Sequence, residues 1–159
     1  MNKSFMQKAI ALAQGVDKDI PVAAIIVKDD KIISQSVNQK ELKQNPILHA
    51  EISAIDDACK KLGTWHLDDC DMYVTLEPCP MCAGAIIQAR IKNLYFGSFD
   101  NLYGALGSKT DLRQIINSPL NVKGGILEEE CNQILEKFFE ELRNEKQSKK
   151  RIEQTCSKV

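Results

Sequence analysis

Apolar residues along this chain switch between two spacings. Phe5, Met6, Ala9, Ile10, Leu12 and Ala13 recur three and four positions apart, which predicts a first helix that Gly15 stops. Pro21 opens an unbroken apolar run over 22–27, the pattern of a buried strand. Lys28-Asp29-Asp30-Lys31 is a polar turn and 32–37 a second strand, so a hairpin is predicted. Residues 38–46 are polar and read as a loop. Ile52, Ile55, Cys59 and Leu62 return to helical spacing within 50–62. Residues 72–76 are β-rich, Pro80 opens a helix over 81–91, and 94–99 form another strand. Gly104 and Gly107 mark a flexible loop, followed by a short helix over 111–117. A fifth short strand is predicted over 122–127 and an amphipathic helix over 128–143. Strands alternating with helices after an initial hairpin imply an α/β layered domain with a mixed sheet.

The length, 159 residues, fits one domain, expected over 1–143. Residues 144–159 are charged and nearly free of apolar side chains, which predicts a frayed helix end or a partly disordered tail. No apolar run approaches the roughly 20 residues that span a bilayer, and the first residues lack the apolar block of a signal peptide. A cytoplasmic protein with no membrane partner is expected. The net charge of -1 decides nothing about a polyanionic partner, because local patches outweigh the sum.

Six cysteines are present, and only Cys79 and Cys82 have ligand spacing. Cys59, Cys70 and Cys131 read as small buried hydrophobes, and Cys156 as an exposed thiol in the tail. Two motifs carry chemistry. One is His49-Ala50-Glu51, at the start of a predicted helix. The other is Pro78-Cys79-Pro80-Met81-Cys82, between a predicted strand and helix. A Cys-x-x-Cys pair sets two thiolates on one helical turn, and His49 makes three ligands, which leaves the fourth position of a tetrahedral zinc open. Helix N-termini favour the thiolate form. Zinc lowers the pKa of a bound water to about 7, so hydroxide is available at neutral pH. Glu51, two positions from His49, is the candidate proton shuttle. Structural zinc would need a fourth ligand, and His66, Cys59 and Cys70 show no paired spacing for it. His66 reads as a satisfied histidine and Glu77 as a structural carboxylate.

The pair H-x-E and P-C-x-x-C is the signature of zinc-dependent nucleobase deaminases. The chain further resembles the bacterial tRNA adenosine deaminases, within the cytidine and deoxycytidylate deaminase superfamily. The matching stretches are Pro21-Val22-Ala23-Ala24, Asn38, His49-Ala50-Glu51, 73–85, Phe96-Gly97, Asp100, 104–108, Gly125-Ile126-Leu127 and Glu130-Cys131. The resemblance implies a three-layer α/β/α sandwich with a mixed five-stranded sheet. It implies one zinc per subunit on His49, Cys79 and Cys82, with Glu51 as the shuttle. It also sets Asn38, the Ala50 backbone, Val22 and Asp100 against the substrate. The implied reaction converts wobble adenosine of a tRNA anticodon stem-loop to inosine with release of ammonia, and the implied assembly is a homodimer.

Three stretches depart from the family pattern. Ala23 stands where glycine is usual, and its methyl is expected to narrow the base pocket. Ile47-Leu48 replace a small pair before His49. Residues 119–125 are short, which predicts a truncated fifth strand. Two other functions compete. One is a free-base or nucleotide deaminase acting on guanine, cytosine or dCMP. The other is an accessory subunit without turnover, against which Glu51 argues. Arg143, Lys146, Lys149, Lys150 and Arg151 make the tail basic, which suits either a solvated face or RNA.

Overall fold

The computed structural model describes residues 2–156, with side chains described up to residue 149. In chain order the elements are α1 (Lys3–Gln14), β1 (Ala23–Lys28), β2 (Lys31–Val37), α2 (Lys40–Lys43), α3 (Ala50–Leu62) and β3 (Asp71–Leu76). Then come α4 (Pro80–Gln88), β4 (Asn93–Ser98), α5 (Leu112–Ile115), β5 (Asn121–Lys123) and α6 (Glu128–Cys156). The five strands form one sheet in the order β2-β1-β3-β4-β5. β1 runs antiparallel to both β2 and β3, whereas β3, β4 and β5 are parallel. The sheet is therefore mixed, and helices cover both faces.

Alternation along β1 explains the layers. Ala24 and Ile26, with Val22 just before the strand, join the cluster under α3 and α4. Ala23, Ile25 and Val27 point the other way, into the cluster with Phe5, Met6 and Ala9 of α1 and Cys131 of α6. A buried Leu or Ile contributes about 1.5–3 kcal/mol over its exposed state, and both faces of the central strands bury such residues.

Three expectations change. First, the polar stretch 38–46 holds a one-turn helix, α2. Its N-terminal amides find their partner in Asp19, whose carboxylate accepts from Glu41 N–H at 2.8 Å and Leu42 N–H at 2.9 Å. Second, the fifth strand is shorter and earlier than 122–127. A Cβ at Gly124 would enter the Phe96 ring, and Gly125 has φ +75°, so the extended conformation ends at Lys123. Third, α6 continues past Arg143 as helix to Cys156. Arg143, Lys146 and Lys149 are exposed on it. The expected exposed thiol of Cys156 and the side chains of Lys150 and Arg151 lie outside the described residues. Cys70 and Cys131 are buried as expected, but Cys59 is only half-buried.

Candidate active site

Two helix N-termini meet beneath one cavity. His49 is the N-cap of α3 and Cys79 the N-cap of α4, where Pro80 occupies the first helical turn. Proline loses nothing there, because that amide has no intrahelical partner. Neither N-cap side chain caps its own helix, so both are free to point at a common centre. Cys82 follows on the first turn of α4 and is fully buried.

The His49 Nδ1 atom lies 3.7 Å from Cys79 Sγ and 3.4 Å from Cys82 Sγ. The three ligand atoms fall within 4.8 Å of one another. Tetrahedral zinc with ordinary Zn–S and Zn–N bonds spaces such atoms about 3.6 Å apart. Proton affinities agree with that fit. Cys79 is drawn down to about 4 because the Cys82 thiol donates to it, with His49 adding to the effect. Cys82 is pushed far up, as the donor to Cys79 in a buried setting. His49 is raised, first by its hydrogen bond with Cys79 and also by Glu51. A divalent cation is the charge that lets both sulfurs stand as thiolates beside a neutral imidazole. The residues fit zinc.

Glu51, in the first turn of α3, is 4% exposed, and burial raises its pKa above the ordinary carboxylate range. A carboxyl at this position can both take and return a proton.

The cavity above the cluster measures about 450 Å³. Every residue expected at the substrate lines it: Val22, Asn38, Ala50 and Asp100, along with Glu51, His49 and Cys79. Cys82 lies beneath the surface. The Asn38 side-chain oxygen is buried and has no partner, while its amide nitrogen donates weakly to the Ile20 carbonyl at 3.4 Å. A buried, unpaired amide oxygen on a cavity wall suits a ligand donor. Asp100 Oδ1 accepts from Leu102 N–H at 2.9 Å and Tyr103 N–H at 3.0 Å, so it shapes its own loop as well as lining the cavity.

Ala23 corrects an expectation. Its methyl sits in the α1-side cluster and does not border the cavity, so it cannot narrow a base pocket. Ile47 and Leu48 do not line the cavity either; Ile47 is exposed. His66 stacks on Trp65 at 3.8 Å and faces Asp68 at 3.5 Å, a surface arrangement. Glu77 is buried and accepts hydrogen bonds from the loop after β4, as its structural reading anticipates. It also reaches the cavity wall. Lys40 and Tyr103 line the cavity without having been singled out. Tyr103, an aromatic in a glycine-bearing loop beside Asp100, carried a readable signal. Lys40 carried none, because α2 was not legible.

Residues 1–98 match the cytidine and deoxycytidylate deaminase zinc-binding region. The tRNA-specific adenosine deaminase of Bacillus subtilis is 43% identical over 91% of this chain and 92% of its own length. The corresponding enzyme of Aquifex aeolicus is 39% identical over 79% and 84%. A solved structure from work on A-to-I editing by tRNA:A34 deaminases superposes with a TM-score of 0.76 at 37% identity, over 84% of this chain and all of that one. A guanine deaminase from Bacillus subtilis is 45% identical over 62% of this chain and 66% of its own, with a TM-score of 0.59. With the zinc-binding region matched over more than half of this chain and a relative 43% identical over 91% of it, this chain belongs to the tRNA-specific adenosine deaminase family of zinc-dependent deaminases.

Proposed function

We propose that the protein hydrolyses the amine of adenosine at the wobble position of a tRNA anticodon, giving inosine and ammonia. One observation carries the chemistry: Glu51 is buried beside the converging His49, Cys79 and Cys82 under a cavity large enough for a nucleobase. The substrate follows the family, whose members match nearly the whole chain.

His49, Cys79 and Cys82 hold the zinc. When bound, zinc supplies the Lewis acidity that makes water nucleophilic at neutral pH. Glu51 takes a proton from that water and sets it on the ring nitrogen N1 as C6 is attacked. It then carries the second water proton to the departing amine, which leaves as ammonia, so one water enters for each ammonia released. Asn38 offers an amide to the base, and the backbone N–H of Ala50 lies at the same wall. Val22 packs against the ring, and Asp100 stands where the neighbouring nucleotide enters. A loop base reaches such a site only by leaving its stack, which single-stranded anticodon nucleotides do at low cost.

We further infer a homodimer working in the cytoplasm. Ile115 and Ile116, 69% and 49% exposed on and after α5, are an apolar surface of the kind a second copy covers. No helix among the described residues is long and apolar enough to cross a membrane.

A guanine-directed reading has one observation in its favour, the guanine deaminase likeness through the zinc motifs. A turnover panel separates the two. Wobble adenosine in an anticodon stem-loop should convert to inosine, read by mass, and the same loop with its adenosine moved should not. Turnover of guanine, cytidine or dCMP with no reaction on the stem-loop would overturn the tRNA assignment.

A further inference from the structure

The loop from Asp100 to Thr110, which Gly104 and Gly107 predicted to be flexible, is instead tied down along its length. Every backbone N–H from Leu102 to Thr110 is donated to an acceptor. Glu77 organises it. One carboxylate oxygen accepts from Leu106 N–H at 3.1 Å and Ser108 N–H at 3.0 Å. The other accepts from Asp100 N–H at 3.1 Å and from the Ser108 hydroxyl. Those four bonds use the full acceptor capacity of a carboxylate. Glu77 is 2% exposed and, among the described residues, forms no ion pair, so the loop's donors alone balance its charge. Ala105 N–H closes onto the Pro78 carbonyl at 3.0 Å, one residue before Cys79. Gly104 lies so close to Glu77 that a Cβ would meet its carboxylate at 2.5 Å.

This fastened loop carries Tyr103. Among the described residues its side chain has no hydrogen-bond or aromatic partner, and the residue is 68% exposed and lines the cavity rim. Its position at the rim leaves the ring open to a ligand that enters the cavity. On this rim the partner with the right chemistry is a flat nucleobase, because an aromatic ring stacks on any base without reading its edges. Holding the ring in place beforehand removes an ordering cost from binding.

We propose that Tyr103 is a stacking platform for the base next to the target adenosine, and that Glu77 is the positioning residue that holds it there. The proposal rests on the tRNA reading above and deepens it. Tyr103 confers affinity for the looped-out strand; Glu77 acts only through the loop.

The test uses the zinc-loaded full chain and an end-labelled anticodon stem-loop, with affinity read by anisotropy and turnover read separately. Tyr103→Ala should weaken binding about tenfold, the size of one lost base–aromatic stack, with kcat within about twofold. Tyr103→Phe should restore affinity. An abasic nucleotide on one side of the wobble position should cost the wild type the same tenfold and cost Tyr103→Ala nothing further. Glu77→Gln keeps the acceptor for Leu106 and Ser108 but leaves Asp100 N–H without one. It should raise KM, keep zinc, speed amide exchange at Asp100, and add little to Tyr103→Ala. Additive losses, an equally weak Tyr103→Phe, or abasic penalties unchanged by Tyr103→Ala would overturn the proposal. So would a Tyr103→Ala variant whose defect is a change in oligomeric state by sedimentation. Coupled binding losses without wild-type turnover would leave this proposal standing and sink the deaminase reading. Turnover with no coupling would do the reverse.

Discussion

The Sγ atom of Cys82 stands 3.4 Å from Nδ1 of His49, although 33 positions separate them in the chain. The contact joins the N-termini of α3 and α4, two helices packed side by side on one face of the sheet. Zinc at this point is therefore a tie between helices as well as a reagent. His49→Ala should release the metal, since two thiolates alone make an incomplete set. The variant should also melt lower, because a ligand bound only by the folded state stabilises it. Full zinc occupancy in purified His49→Ala, by atomic emission, would contradict this ligand set.

Glu51→Gln keeps the shape of a buried side chain and removes its ability to accept and return a proton. Its zinc content and melting temperature should stay close to wild type. Single-turnover conversion of the stem-loop should fall about 10²–10⁴-fold, the usual contribution of a positioned acid–base group. A loss below about tenfold would remove Glu51 from the proton path.

Asp19 fastens α2 by accepting from the amides of Glu41 and Leu42. Asp19→Ala should cost about 1–2 kcal/mol of stability, through the loss of two part-buried, charge-assisted bonds that cap the helix. Hydrogen exchange should accelerate at Glu41 and Leu42. KM should rise as well, since Asn38 and Lys40 flank this anchor and line the cavity. Unchanged exchange at Glu41 would show that α2 stands without Asp19.

Burial pushes the Cys131 thiol up to about 12, and the residue is 1% exposed. Cys70 is equally buried, with a raised pKa. Both should resist a thiol-exchange reagent in the native state at neutral pH and react fully in denaturant, since only the thiolate attacks. Peptide mapping decides the matter; native labelling of Cys131 would place it in a looser environment than the fold describes.

Gly97 lets β4 pass against α6. A Cβ there would stand 2.8 Å from the Thr75 carbonyl oxygen and would also run into the Cys131 sulfur. Gly97→Ala should destabilise by about 1–3 kcal/mol through overpacking, measured by denaturant unfolding. Pairing it with Cys131→Ala should recover only part of the loss, because the carbonyl cannot retreat.

Much of the framework was legible because it is local. Helical spacing in 50–62, the strand run of 22–27, the placement of His49 at a helix start and that of Pro78-Cys79-Pro80 at a strand-to-helix junction all follow from neighbours within a few positions. The identity of the cluster was legible for the same reason. An H-x-E and a P-C-x-x-C carry their geometry in one helical turn each, so only their meeting had to be supplied by the fold.

What the sequence determined, then, is the set of chemical groups and the local conformation that aims each one. What only the tertiary structure decided depends on contacts distant in the chain. Residues 22–27 are apolar without alternation, so nothing local says which face each side chain takes. The two helical layers settle it, sending the Ala23 methyl to α1 and leaving Val22 at the cavity. The one-turn helix α2 depends on a carboxylate 22 positions before it, and the 100–110 loop on one 23 to 31 positions before its donors. A short segment has too few internal hydrogen bonds to offset the entropy of ordering itself. It takes a definite shape only when a distant buried group accepts its amides, and the tertiary fold brings Asp19 and Glu77 to those places.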